Sequence, residues 1–183
     1  QIARSPLMGR GGFAVFDGLV GALMPELLAE AVTLSSNAVE SRVAASDGAE
    51  RGGAPARCYL NGPAGPVQRA MYRSPSTLAF LRALTDVSLE PTGDVGTYSY
   101  YARPGHFLAL HRDIVTCDVA VITCLSDRPS AATGGELVLY PRRWREPLSD
   151  IRSTPWDGAC RIRLREGHTL VFYGGIVPHE LLP

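Results

Sequence analysis

"ALHRDIV", residues 109–115, is the stretch on which the reading of this chain turns. An apolar run ends there in a histidine, with an aspartate two positions later. On an extended strand, side chains at i and i+2 point to the same face. His111 and Asp113 would therefore aim an imidazole and a carboxylate at one spot. By itself the pair has three readings: part of a metal site, a structural hydrogen bond in a core, or a coincidence of surface composition. The rest of the chain has to decide between them.

The pair sits in a half of the chain with strand texture. From Pro91 onward, "GTYSYY", "FLALH", "DVAVITCL", "ELVLY", "CRIRLR", "HTLVFYG" and "VPHELL" follow one another, separated by turn-forming Gly, Pro and Ser. Short runs of this kind with no helical period between them predict seven strands. In "CRIRLR" the alternation puts Ile162 and Leu164 inward and Arg161, Arg163 and Arg165 in water. The first half is mixed. "GGFAVFDGL" (11–19) reads as a strand, and "MPELLAEAVTLSSNAV" (24–39) as a helix with Pro25 in its first turn. "SPSTLAFLRALTDV" (74–87) reads as a second helix, with Ser74 as N-cap and Leu78, Phe80, Leu81 and Leu84 on its buried stripe. Residues 45–57, small and glycine-rich, read as a loop. Helices followed by strands predict an α+β domain whose second half is a β-sandwich or jelly roll. Residues 1–183 form a single domain in this reading: a strand and supporting helices over 1–91, a β core over 92–183.

Bulk composition narrows the functional classes. A hydrophobic fraction of 45% and a charged fraction of 20% are those of a globular protein. The formal net charge is zero, so neither nucleic acid nor an anionic membrane is attracted by bulk charge. All 18 basic residues are arginine, which removes lysine Schiff-base chemistry. Cys58, Cys117, Cys124 and Cys160 form no C-x-x-C pair, so their spacing fits reduced thiols in a cytoplasmic protein better than a zinc ribbon or a disulfide scaffold. No apolar run reaches the roughly 18 residues of a membrane span.

A third candidate ligand lies in "YGGIVPHELLP", where Gly174, Gly175 and Pro178 place His179 after a turn. Two histidines and one carboxylate from different strands make the facial triad that holds non-haem Fe(II) and leaves coordination positions open. H-x-D alone is a weak signal; its surroundings strengthen it. "YARPGHFLALHRD" (101–113) resembles the corresponding region of the Fe(II)- and 2-oxoglutarate-dependent dioxygenases, especially their prolyl 4-hydroxylase-like branch. "AVITCLSD", "TGGELVLY" and "LREGHTLVFYG" resemble later segments of that family in the same order, so the likeness spans roughly residues 96–182.

The resemblance implies a double-stranded β-helix (jelly-roll, cupin-like) core with supporting N-terminal helices. It implies His111, Asp113 and His179 as catalytic iron ligands, and Tyr101, Tyr100 and Cys124 as candidate contacts of the cosubstrate, with Tyr98 left to packing. Gly134, Gly135 and Glu136 match a structural motif, for which tight-turn geometry is expected. The implied reaction consumes 2-oxoglutarate and O2, releases succinate and CO2, and hydroxylates an unactivated C–H bond of a small or amino-acid-like substrate. Three alternatives stay open: a prolyl-hydroxylase-like protein modifier, a cupin-type iron enzyme without 2-oxoglutarate, and a metal-free binding module. His106 and His168 read as packing and surface residues. The loop "PRRWREPLSDIRSTPWDG" (141–158) reads either as a receptor for a carboxylate-bearing substrate or as a solvated loop with internal ion pairs to Glu146, Asp150 and Asp157. The family grips the far carboxylate of 2-oxoglutarate with a basic residue, often arginine, about ten positions after the distal histidine. We therefore expect a natural chain that begins before Gln1, continues past Pro183 and supplies that residue on a closing strand.

Overall fold

The computed structural model describes residues 2–44, 51, 53–127 and 134–183. All seven strands expected in the second half are present: β4 (Tyr98–Tyr100), β5 (Phe107–His111), β6 (Ala120–Thr123), β7 (Leu137–Leu139), β8 (Cys160–Ile162), β9 (His168–Phe172) and β10 (His179–Leu181). The first half supplies β1 (Phe13–Asp17), β2 (Val39–Val43) and β3 (Arg57–Gly62). Its helices are α1 (Pro6–Gly9), α2 (Met24–Leu34), α3 (Pro66–Arg73) and α4 (Pro75–Thr85), and a later one, α5, covers Leu148–Ser153.

The strands form two antiparallel sheets. One runs β1-β9-β6, and the other β2-β3-β5-β10-β7-β8, with β4 also on β3. The N-terminal half is therefore woven into both sheets rather than set beside them. β9 reads "HTLVF", and Thr169 through Phe172 are all fully buried. A strand covered on both faces loses the polar alternation of a half-exposed one. Leu137 and Leu139 of β7 share a core cluster with Leu170 and Phe172, and Leu7 of α1 with Phe80, Leu81 and Leu84 of α4 packs against the same cluster. On β7 the intervening Val138, with Tyr140, packs on Leu148 and Ile151 of α5.

Three boundaries differ from expectation. The helix foreseen over 24–39 stops at Leu34, a 3₁₀ turn follows over Ser35–Asn37, and β2 begins at Val39. Ser35 and Ser36 turn their hydroxyls back onto the carbonyls of Val32 and Thr33, a competition with the helix ladder that ends it. Ser74 is the N-cap of α4 as expected and Pro75 opens the helix, but the Ser74 hydroxyl makes no capping bond and pairs with that of Ser76 instead. Asp86 closes α4 in the left-handed region at φ 52°. β2, β3 and α3 were not foreseen. Of the loop expected over 45–57, residues 45–50 and 52 lie outside the described residues, and Arg57 already belongs to β3. Gly134 and Gly135 both have positive φ, in line with the expected tight turn, and Glu136 pairs with Arg161. "CRIRLR" alternates as foreseen, with Arg161, Arg163 and Arg165 exposed. All four cysteines are free thiols, and no described helix is long and apolar enough to cross a membrane.

Candidate metal centre

His111 is the last residue of β5 and His179 the first of β10, and the two are direct partners across the antiparallel pair. Their rings lie 4.2 Å apart, centroid to centroid. Each imidazole is fixed in the same way. Nδ1 of His111 lies 2.9 Å from the carbonyl of Ala109, and Nδ1 of His179 lies 3.0 Å from that of Val177. A carbonyl only accepts, so each Nδ1 carries the proton and each Nε2 presents a lone pair. Both lone pairs point at Asp113. Its Oδ1 is 3.5 Å from Nε2 of His111 and 3.6 Å from Nε2 of His179.

Asp113 arrives by a route the i, i+2 argument did not contain. β5 ends at His111, so Asp113 lies beyond the strand, where its N–H donates to the Gly174 carbonyl at 2.9 Å. Burial alone would raise its pKa, but the two imidazoles facing Oδ1 outweigh this and hold the carboxyl well below the usual carboxylate range. Burial lowers the pKa of His111, with Asp113 opposing, which keeps the imidazole neutral and able to ligate. The three ligand atoms lie within 4.8 Å of one another. Cis ligands on a first-row ion with bonds of about 2.1 Å sit about 3 Å apart, so a small inward movement completes the set. The donor types and the outward Nδ1 bonds fit a divalent first-row ion. Phe172 stands edge-on to His179 at 4.6 Å and closes the inner side.

The outer side opens into a cleft of about 230 Å³, walled by Arg57, Tyr59, Leu108 and Ile114 beside His111 and Asp113. Arg57 and Tyr59 come from β3, the strand the sequence did not reveal. No spacing rule links positions 57 and 59 to 111; only the β3–β5 pairing, Arg57 opposite Leu108, brings them together. Ser41 holds Nε of Arg57 at 2.8 Å.

No family model and no curated relative matches this sequence. Solved structures do. A prolyl-4-hydroxylase from Pseudomonas putida matches with a TM-score of 0.62 at 18% identity, over 100% of this chain and 91% of that one. A prolyl hydroxylase from Trichoplax adhaerens, in complex with a peptide fragment of the hypoxia inducible factor oxygen degradation domain, matches with a TM-score of 0.61 at 21% identity, over 97% and 80%. The fold is the prolyl 4-hydroxylase fold. The expected α+β chain with a jelly-roll core is thereby met.

Within this prolyl 4-hydroxylase fold the remaining sequence candidates part company. Tyr101 is half-buried and stacks on Tyr59 at 5.0 Å, one ring back from the cleft, and burial pushes its hydroxyl pKa up. Tyr100 turns the other way: its hydroxyl donates to the Ala31 carbonyl of α2 at 2.6 Å, which makes it a structural contact rather than a residue of the cleft. Tyr98 donates to Glu30 at 2.6 Å, the packing role expected of it. Cys124 follows β6, its N–H on the His168 carbonyl, at the opposite end of the β6–β9 pair from Gly174 and Asp113. By alternation it shares a sheet face with Ala120 and Ile122. It does not line the described cleft.

His106 is buried, with Nδ1 3.2 Å from the Tyr100 carbonyl, and His168 pairs with the Arg165 N–H. Neither approaches the triad. The 141–158 loop is neither simply solvated nor arranged around the cleft. Arg143 is buried inside it, bound to Glu146 and to the carbonyls of Asp150, Thr154 and Asp157. Arg112 ties that loop to the site by donating to the carbonyls of Ile176, Trp144 and Glu146.

Proposed function

We propose that this chain is an Fe(II)- and 2-oxoglutarate-dependent oxygenase that hydroxylates an unactivated C–H bond, with His111, Asp113 and His179 as the metal ligands. The observation that carries it is the convergence of two Nδ1-anchored imidazoles and one carboxylate, beside a cleft and on a fold shared with prolyl hydroxylases. When bound, the ferrous ion and 2-oxoglutarate supply the oxidising power, with succinate and CO2 as coproducts.

The chain's own residues supply position and surroundings. The Ala109 and Val177 carbonyls hold each imidazole by its Nδ1, with Nε2 turned inward. Asp113 contributes the single negative charge, which leaves a divalent ion net positive toward an anionic chelator. Phe172 excludes water behind His179. Arg57 offers a cation in the cleft wall for a carboxylate, on the cosubstrate or on a small or amino-acid-like substrate. Tyr101, with Tyr59 in front of it, remains our candidate beside the cosubstrate.

A second reading, a modifier of a peptidyl residue, is favoured by the rim of the cleft. Ile114 and Val115 follow Asp113 and are 49% and 66% exposed, an apolar edge suited to a chain lying across the mouth. The peptide in the Trichoplax structure belongs to that protein and supports the reading only by analogy of fold.

The test is 2-oxoglutarate turnover by the purified protein with ferrous ion, read as succinate by NMR against panels of amino acids, small acids and peptides. Succinate release that disappears in Asp113→Ala supports the proposal. Tight iron binding without 2-oxoglutarate consumption moves the cupin-type reading ahead, and absence of metal binding moves the binding-module reading ahead.

A further inference from the structure

Gly174 has an ordinary backbone conformation: its φ lies outside the positive region that favours glycine. The chain could place any residue there. What forbids a side chain is Asp113, because a Cβ on Gly174 would land on its carboxylate oxygen Oδ2. Gly175 repeats the pattern one step on: a Cβ there would come within 2.8 Å of the Cys117 carbonyl and of the Arg51 guanidinium. Arg51 in turn donates to the carbonyls of Ile114 and Val115 at 3.3 and 2.8 Å and to Asp118 at 3.0 Å. The 113–118 loop thus lies flat on the Gly174–Gly175 backbone. The open side of Oδ2 is taken by Cys117, whose thiol donates to it at 3.6 Å.

We infer that Gly174 and Cys117 are positioning residues for the Asp113 carboxylate, together confining Oδ2 so that only Oδ1 is offered to a metal ion. This rests on the metal-centre reading above. Both imidazoles face Oδ1. A carboxylate walled on its second oxygen binds through one atom and leaves adjacent coordination positions for a two-oxygen chelator and a gas molecule. The paired glycines before His179 therefore do more than turn the chain. They form the floor on which the third ligand rests, and the close approach of backbone to carboxylate is what demands glycine.

The experiment uses Co(II) as a spectroscopic probe with the wild type, Gly174→Ala, Cys117→Val and Cys117→Ser. Calorimetry gives affinity, the visible absorption of the Co(II) form reports ligand geometry, and thermal melting of the metal-free proteins reports the fold. Outer-shell partners of ligands are worth about 10–100-fold in metal affinity. Gly174→Ala should lose about 100-fold or more with an altered Co(II) spectrum, since it displaces the ligand itself. Cys117→Val should lose about tenfold, and Cys117→Ser, which keeps a donor, should stay within about threefold of wild type. Wild-type affinity and spectrum in Gly174→Ala would overturn the inference while leaving the metal centre standing. If Gly174→Ala fails to fold, the cysteine pair decides: equal affinities and spectra for Val and Ser overturn the inference. A wild type that binds no Co(II) overturns the metal-centre reading itself, and this inference with it.

Discussion

His111 and His179 face each other as cross-strand partners, 68 positions apart in sequence, with ring centroids 4.2 Å apart. β10 pairs with β5 on one side and β7 on the other, so the contact that completes the sheet also brings the two candidate ligands together. Loss of the sheet would separate the two histidines, and on the proposed metal-centre reading a bound ion would hold the two strands together. Ligand binding to the folded state alone adds stability.

His111→Ala, Asp113→Ala and His179→Ala should each abolish succinate release and weaken ferrous binding by more than about 100-fold, because three protein groups share the ion. Calorimetry with ferrous ion under argon measures this. His106→Ala should keep wild-type metal affinity yet lose about 1–3 kcal/mol of stability, since it leaves the Tyr100 carbonyl without its buried partner. Iron loss in His106→Ala with retention in His179→Ala would contradict the ligand assignment.

Arg57→Ala should raise the KM for a carboxylate-bearing ligand of the cleft by about tenfold to a hundredfold, the range for a charged hydrogen bond worth about 1.5–3 kcal/mol. Arg143→Ala should act differently, lowering the melting temperature by releasing the carbonyls it holds in the 141–158 loop. Steady-state kinetics in both 2-oxoglutarate and substrate separates the two. Unchanged KM values for Arg57→Ala would remove that residue from ligand binding.

Tyr100→Phe should cost about 1 kcal/mol of stability through the lost bond to the Ala31 carbonyl, and leave the KM for 2-oxoglutarate alone. Tyr59→Ala should raise that KM, because its ring lies in the cleft wall and supports Tyr101. A larger KM effect from Tyr100→Phe than from Tyr59→Ala would reverse this assignment.

Glu30 of α2 accepts from the backbone N–H groups of Val67 and Gln68 at the start of α3, and from the Tyr98 hydroxyl. Burial raises its pKa, but these hydrogen bonds outweigh burial and hold it below the ordinary glutamate value. A carboxyl with a depressed folded pKa stabilises above its unfolded value, and that contribution fades as pH falls through the folded one. Glu30→Gln should therefore narrow the stability difference from wild type as pH drops below about 4.3, the unfolded glutamate value. At neutral pH the substitution should cost about 1–2 kcal/mol, as for other lost caps. Urea titrations at pH 7 and below 4 measure both. A difference that widens on acidification would be contrary to the sign.

The sequence by itself carried the second half of the chain. Strand runs such as "CRIRLR" and "HTLVFYG" are punctuated by turn residues, and their length and composition are local properties that tertiary contacts only confirm. The His111–Asp113 spacing and the turn before His179 were likewise legible, because ligand type and turn chemistry are written in single residues. β2 and β3 were not. "VESRV" lies on an edge with Val39 66% exposed, so it has neither a clean alternation nor a fully apolar run to read.

Tertiary structure alone decided the rest, because it depends on which strand pairs with which. Arg57 and Tyr59 enter the cleft through the β3–β5 register, and Tyr100 leaves it because α2 offers the Ala31 carbonyl. Asp113 meets the histidines from beyond the strand end, on a floor of Gly174, and not through strand alternation. The sequence pointed to three candidate ligands through residue type and the family resemblance of the segments around them. Pairing, a non-local property with no one-dimensional signature, decided what surrounds them.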